Sequence, residues 1–557
     1  MSSLHVAYFT MEIGLKHAIP TFAGGLGILA ADLMRACADT GTNAACVTGC
    51  WRYGYLKQNL HEDGTQDYTD VLWDPADELT PVPQTVTVSI EGRTVHIGAW
   101  RLDLQGLKGS VPILFLHTDL PENAPEDRDI TKHLYGGDLS MRCKQEIVLG
   151  IGGVRMLRAL GYDTIDNFHL NEGHCAFLTL ELLRERGFND DAVRASCAFT
   201  THTPVRAGHD VFPYDMAWNI AGDQLPWHIK EIAGDDALSM TKLAMRMSRV
   251  TLGVSRVHGL VSQRLLDNDA VGYITNGAHH REWASPEMQQ LFDRYIPGWR
   301  DDPALLAKHC RDLPDDALWN AHQTCKRRLI AYVQDQTGMR LHEDRLTIAS
   351  ARRIVPYKRP ELLYTNLERL KEIGRGKLQI IHAGNAHPHD PFSQEVIRHM
   401  IQRSKELKDI VDIAYLPNYS PDLAKILVSG ADVWLNTPTR LMEASGTSGM
   451  KACLNGVLNL STLDGWWAEG YEMDNEAGWR IGPLASALDD DDTRTIDAED
   501  LYTQLQFEVI HEYEYPQRAR WIRRMKRAIG LMGTFNAQRC IEEYKEKAWG
   551  ESNRVTE

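Results

Sequence analysis

The chain has 557 residues, 43% hydrophobic and 24% charged, with a formal net charge of −16. That length exceeds what one hydrophobic core serves, so at least two domains are expected. The acidic balance disfavours nucleic acid or an acidic membrane as the main partner, and no run of about 18 apolar residues marks a membrane-spanning helix. Met1-Ser2-Ser3-Leu4-His5 leads almost directly into a strand, without the charged-then-apolar layout of a signal peptide, so the cytoplasm is the expected location. The ten cysteines form no CxxC pair, and buried free thiols are the expectation rather than a metal or redox site.

Short apolar strands alternating with longer helical stretches predict an α/β architecture. In chain order, a strand over residues 4–10 is followed by the turn Phe22-Ala23-Gly24-Gly25-Leu26-Gly27 and a helix over 28–39. Glycines there would let backbone approach a ligand closely, and the amides of a helix start favour an anion, although the same string also serves as a tight turn. Further strands are expected over 43–48, 111–117, 196–200 and 259–262. Asn171-Glu172-Gly173-His174 also follows a strand, with His174 fitting a core histidine as well as a site-lining one. Residues 277–344 hold four prolines and several helices but no clear strand, which places a domain boundary there and suggests domains over 1–290 and 291–557. A second series of strands is expected over 346–350, 378–383, 413–416 and 433–436. Two such series suggest two Rossmann-like domains facing each other across a cleft, with ligands beyond the carboxyl ends of the strands. The acidic runs 489–492 and 497–500 read as a solvated loop. The basic cluster Arg518, Arg520, Arg523, Arg524, Lys526 and Arg527 reads as a solvated helix face balanced by glutamates.

Two further motifs carry chemistry. Ala351-Arg352-Arg353-Ile354-Val355-Pro356-Tyr357-Lys358-Arg359 sets three cations directly after the strand 346–350, where forked guanidinium groups and a lysine suit phosphate. Met442-Glu443-Ala444-Ser445-Gly446-Thr447-Ser448-Gly449-Met450-Lys451 leads from the strand 433–436 into a small-residue loop and then a helix. That helix carries one lysine among apolar neighbours. Such a lysine is expected to have a depressed pKa that suits Schiff-base formation, and Glu443 could accept from sugar hydroxyls. Trp466 and Trp467 could stack on sugars, but buried packing is the commoner use of such a pair.

Together EASGTSGMK, ARRIVPYKR, FAGGLG, TTHTP and TNGAHHREW, which occur along the chain in the expected order, resemble the α-glucan phosphorylases over about residues 8–464, most closely their compact prokaryotic branch. The resemblance implies two Rossmann-like domains in a GT-B-type glycosyltransferase architecture, with the terminal helices packing back toward the N-terminal domain. It implies reversible phosphorolysis of α-1,4-glucan ends to α-glucose 1-phosphate with retention. It also implies pyridoxal 5'-phosphate on Lys451, with Thr447, Ser448 and Arg352 around the cofactor phosphate, Gly25 close to it, and Tyr419 in the same cleft. Arg353 and Lys358 would bind the substrate phosphate, helped by the Gly24 and Gly25 amides. Asn276 and His202 would meet the glucose 6-hydroxyl, and Glu443, Ser445 and Gly446 the 3-hydroxyl, with the His202 carbonyl steadying a positively charged sugar. The cofactor phosphate would take the proton-transfer role that a carboxylate pair fills in glycosidases.

No metal is expected, and homodimers are common in the family. Departures from its pattern are Val355-Pro356 in place of His-Glu, Gly449 in place of asparagine, and the segment 436–441, which bear on acceptor length more than on reaction type. The alternatives are a sugar-nucleotide-dependent glucan synthase of the same fold, which would lack a cofactor lysine, and a catalytically inactive glycan-binding relative.

Overall fold

The computed structural model describes residues 3–386, 390–483, 493–516 and 518–550. The protein is a mixed α/β structure built on two large sheets. Its chain packs as two compact units, one of residues 1–56, 70–275 and 537–557, the other of residues 57–69 and 276–536.

The first unit holds a nine-stranded sheet. In spatial order the strands are Gly272–Tyr273, Val250–Gly253, Cys197–Thr200, Thr164–Asn171, Ser3–Thr10, Ala44–Gly49, Ser110–His117, Arg93–Gln105 and Thr80–Ile90. The first seven run parallel, and the last two add antiparallel pairings. A parallel sheet is covered on both faces, so its strands read as unbroken apolar runs. In Ser3–Thr10, Ala7 and Phe9 enter one core cluster while Val6 and Tyr8 enter the other, as the two-residue side-chain alternation requires. From Ser3–Thr10 the chain adds strands first on one side and then, with Thr164–Asn171, on the other. The strand order therefore reverses between these two neighbours, and it is beyond the carboxyl ends at such a reversal that open α/β sheets bind ligands. Glu12 follows one of these ends and Glu172 the other.

The second unit repeats this logic in a six-stranded, wholly parallel sheet. Its order is Asp412–Leu416, Leu378–Ala383, Leu346–Ala351, Val433–Asn436, Leu458–Thr462 and Gly478–Ile481. Here the reversal lies between Leu346–Ala351 and Val433–Asn436. Arg352 leaves the first of these strands, and the loop to the Lys451 helix leaves the second.

Three expectations need correction. Residues 259–262 lie in the helix Arg256–Leu266, and the sheet strand is Val250–Gly253. Gly253 and Gly259 let helix and strand approach so closely that a Cβ on Gly253 would come within 2.8 Å of the Gly259 nitrogen, and this small-apolar run has no clear helical period. Ser255 marks the true start, its hydroxyl accepting from the His258 N–H at 3.1 Å. Asp497 is not solvated. It is fully buried in the helix Arg494–Gln504 and pairs with Arg359 and Arg440, both at 2.7 Å, whereas residues 489–492 lie outside the described residues. In the basic helix Ala519–Leu531, Arg524 is buried and bidentate to Glu512. Its neighbours Arg520, Lys526 and Arg527 pair with acids, as expected of a balanced face. All ten cysteines are free and buried.

Candidate active site

The lysine of the second unit is positioned by a helix with no side chain at its start. Gly446 precedes Thr447–Leu454 with φ +82 and offers no capping group, so the amides of the first turn have no acceptor from a cap. Lys451, 7% exposed, lies one turn in, its Nζ 3.8 Å from the centre of the Trp283 ring. Asn455 binds this helix to the distant short helix His280–Trp283, donating to the carbonyls of Lys451 and Trp283 at 2.9 Å. Ser448 Oγ accepts from Trp434 Nε1 at 3.1 Å, which ties the first turn to the strand Val433–Asn436. Gly449, the departure noted from sequence, is required here: a Cβ would meet Asn459 and Trp466.

Around this helix start the structure gathers most of the expected residues of the second unit. Arg352 hydrogen-bonds Asn436 and stands 3.7 Å from Glu443, while Lys358 is ion-paired with Glu443. Burial works to raise the Glu443 carboxyl, but the Lys358 and Arg352 charges outweigh it and hold it below the usual carboxylate range. Glu443 is thus a partner of the cations as well as a candidate sugar acceptor. Two buried polar atoms in this cradle, Arg352 Nη1 and Ser445 Oγ, have no hydrogen-bond partner. Tyr419 is near enough to Arg352 to sense its charge, although burial dominates and raises its phenol. Asn276 is buried near the start of this unit. Arg353, by contrast, is exposed and adds only a more distant charge to the surroundings of Glu443.

The loop is braced from behind by Asp464, which sequence reasoning missed. Its carboxyl accepts from the N–H of Glu443 at 2.8 Å and of Gly465 at 2.9 Å, and the Ser445 carbonyl accepts from Trp466 N–H at 3.0 Å. Burial pushes Asp464 up to about 7, against these two donors. Trp466 and Trp467 are buried, as packing residues are.

In the first unit, Gly25 opens the helix Gly25–Thr40, and a Cβ there would meet nothing within 4 Å. Its glycine is not demanded by the surrounding protein, unlike that of Gly27, where a Cβ would lie 2.8 Å from Glu12 Oε2. The Gly24 N–H, expected to serve a phosphate, donates to Glu12 Oε2 at 3.0 Å, and the Ala23 N–H does so at 2.7 Å. Tyr135 Oη donates to the other oxygen of Glu12 at 3.0 Å.

His202 follows the strand Cys197–Thr200, and its placement depends on Glu172. Glu172 Oε2 accepts from the His202 N–H at 2.7 Å and from the Thr203 hydroxyl at 2.9 Å, while Oε1 accepts from Gly173 N–H at 2.9 Å. The His202 ring contacts Asn171 Oδ1 at 2.6 Å, and burial pulls the imidazole down to about 4, so it is neutral at pH 7. His174 is buried with Nε2 3.4 Å from Asp210. Glu12 carries no local motif, and in the segment Asn171-Glu172-Gly173-His174 the histidine, not Glu172, drew the reading. Only their place after the two strands flanking the reversal could have found them.

A family profile described as carbohydrate phosphorylase matches residues 217–479. The chain is 37% identical to the maltodextrin phosphorylase of Thermococcus litoralis, over 98% of this chain and 70% of that protein. It is 33% identical to the glycogen phosphorylase of Aquifex aeolicus, over 97% of this chain and 85% of the relative. It is also 33% identical to the glycogen phosphorylase of Mycobacterium tuberculosis, over 97% and 70%. With similarity of this degree running through nearly its whole length, the chain belongs to the carbohydrate phosphorylase family, as an α-glucan phosphorylase.

Proposed function

We propose that the chain cleaves the non-reducing ends of α-1,4-glucans with inorganic phosphate, releasing α-glucose 1-phosphate with retention, and that it holds pyridoxal 5'-phosphate on Lys451. The observation that carries this reading is the uncapped start of the Lys451 helix beside two buried polar atoms without a hydrogen-bond partner, Ser445 Oγ and Arg352 Nη1, the latter only 3.7 Å from Glu443. Amides at a helix start, a guanidinium and a hydroxyl form a donor set that fits a phosphate monoester. Lys451 Nζ, held over Trp283 about one turn into the helix, suits a covalent link to the carbonyl carbon of the same small molecule.

When bound, pyridoxal phosphate would supply a phosphate that titrates at about 6 and can exchange a proton near neutrality. Arg352, with the amides of Thr447 and Ser448, would hold that group. Lys358 and Arg353 would hold the substrate phosphate and offset repulsion between two anions. For this Lys358 must share its charge between Glu443 and the incoming phosphate, and Arg353 must turn in from its exposed position. Glu443, Ser445, Gly446 and Asn276 would accept or donate to sugar hydroxyls, and the His202 carbonyl would face the positive sugar. The amides of Gly24 and Gly25 would serve the phosphate as well, for which the Gly24 N–H must leave Glu12 Oε2. The facing pair of Rossmann-like domains expected from the sequence is part of this proposal, as are a cytoplasmic location and a homodimeric state.

The test is glucose 1-phosphate release from a maltodextrin with and without inorganic phosphate. Phosphate-dependent release is expected. No release from protein loaded with pyridoxal phosphate would overturn the reading, and failure to take up the cofactor would favour the synthase alternative.

A further inference from the structure

Residues 57–69 come from early in the chain yet pack within the second unit. They span the turn of a hairpin made by the strands Tyr53–Leu60 and Gln66–Leu72. The hairpin is pinned at three places. The Lys405 ammonium donates to the Glu62 carbonyl at 2.5 Å, and the Gln66 amide donates to the Gln394 carbonyl at 3.2 Å. The third place is Gln58, 1% exposed, which meets Asn418 reciprocally. The Gln58 N–H donates to Asn418 Oδ1 at 2.7 Å, and Gln58 Oε1 accepts from the Asn418 N–H at 3.4 Å. The Gln58 side chain is itself oriented, since its Nε2 donates to Gln66 Oε1 at 2.7 Å, an oxygen that also accepts from Tyr68 Oη at 2.8 Å.

Asn418 has φ +57, a left-handed conformation that asparagine tolerates but that is not its preferred state. It directly precedes Tyr419, the tyrosine near Arg352. A second line runs the same way. Gln58 also lies close enough to the Tyr415 phenol to act on it, and that hydroxyl donates to the Gly384 carbonyl at 2.5 Å. Gly384 lies so tightly against the Arg352 carbonyl that a Cβ there would collide with it. One buried glutamine thus braces the segments on which Tyr419 and Arg352 sit.

We propose that Gln58 and Asn418 form a positioning clamp that sets the affinity for pyridoxal phosphate by holding the turn at 417–420 in its binding conformation; this rests on the proposed cofactor role of Lys451. Without the clamp the left-handed residue can relax, and the ligand must then order the turn on binding, which lowers apparent affinity by the fraction of time the competent turn is present.

The experiment uses the full chain stripped of cofactor and titrated with pyridoxal phosphate, following tryptophan fluorescence, with melting temperatures of the cofactor-free proteins measured alongside. Asn418→Gly keeps the left-handed backbone and removes the acceptor, Asn418→Asp keeps both, and Gln58→Met keeps length and removes the amide. Asn418→Gly and Gln58→Met are expected to bind about tenfold more weakly, the worth of one well-made hydrogen bond. Asn418→Asp should bind like the wild type, and the cofactor-free melting temperatures should coincide. Unchanged affinity in both weakened variants overturns the clamp, as does a loss that follows a lowered melting temperature. Should the wild type itself fail to bind pyridoxal phosphate, the cofactor reading falls, and the clamp with it.

Discussion

Glu172 has φ +78 and ψ 164, a backbone region that glycine occupies freely and other residues do not, and its buried carboxylate accepts from two backbone amides and a threonine hydroxyl. The strain is held because those donors would otherwise be buried unpaired. Glu172→Gln keeps the shape but replaces one accepting oxygen with a donor, so the 201–203 loop should shift. The expected result is a fall in kcat of about a hundredfold, with pyridoxal-phosphate content unchanged, as small misplacements near reacting atoms produce. Steady-state kinetics beside cofactor absorbance will check this, and wild-type kcat would remove Glu172 from the positioning of His202. Asp464 makes a prediction of a different kind. Its carboxyl stands at about 7 against a reference of 3.8, so between these values the native state keeps a proton that the unfolded chain has given up. Its contribution to stability is therefore complete below pH 3.8 and is lost as pH rises through about 7. The unfolding free energy of the wild type relative to Asp464→Asn should decline across that window and level off above it, in urea melts at stepped pH. A difference independent of pH would mean that the two N–H donors keep Asp464 ionised throughout. Lys451 and Glu443 were legible because they sit in one continuous motif, and Arg352 because it sits in another directly after a strand. Glu12, Glu172 and Asp464 were not: Glu12 acts on the nearby turn at 23–24 without a motif to mark it, while Glu172 and Asp464 act on residues 202–203 and 443, which the sheet order brings near.

At the scale of elements, the turn after Leu346–Ala351 is held by a buried ion cluster rather than by its own residues. Arg359, in the left-handed region with φ +45, donates to the carbonyls of Thr437 and Pro438 at 2.8 Å and to Asp497 at 2.7 Å. Asp497 also accepts from Arg440 at 2.7 Å and from the Thr493 hydroxyl at 3.0 Å. Removing one member of such a cluster strands the opposite charge in the interior. Asp497→Leu should therefore destabilise the protein by about 3–5 kcal/mol, measured by urea denaturation. A loss below about 1 kcal/mol, the range of exposed pairs, would show that the two arginines find water instead. The sequence pattern identified eight of the sheet strands to within two residues, since these are short runs buried on both faces. It did not find the hairpin Thr80–Ile90 and Arg93–Gln105, whose outer positions are polar and whose turn uses Glu91 and Gly92, both at positive φ. Nor did it find Leu458–Thr462 and Gly478–Ile481, which lie beyond the lysine motif and to which the sequence reading gave no element. The acidic run was misread because charge density predicts solvent exposure on average, whereas Asp497 has two guanidinium partners supplied from far away in sequence.

For the molecule as a whole, the chain's return to the first unit after residue 536, which the family resemblance implied but no local pattern marks, can be tested directly. The helix Ala537–Lys547 lies against Gly25–Thr40, the helix that begins at the glycine turn. Ala537, Cys540, Ile541, Tyr544, Ala548 and Trp549 join Leu33, Cys37, Ala198 and Leu252 in one buried cluster. Trp549 stacks on Tyr544 with ring centres 5.4 Å apart and donates from Nε1 to His169 at 3.2 Å, and its carbonyl accepts from Asn167 at 2.8 Å. Burying side chains of this size contributes about 1.5–3 kcal/mol each, so the tail as a whole supplies an amount comparable to the entire stability of a folded domain, about 5–15 kcal/mol. A chain ending at residue 536 should accordingly fail to fold its first unit and be recovered as aggregate. Trp549→Ala should remain folded but lose about 3–5 kcal/mol in urea denaturation, the usual consequence of emptying a buried tryptophan site. A soluble truncated chain with unchanged circular dichroism and urea midpoint would show that the first sheet is complete without its tail. If the truncation aggregates while Trp549→Ala melts early, the glycine turn of the proposed phosphate site depends on the last residues of the chain for the helix it opens.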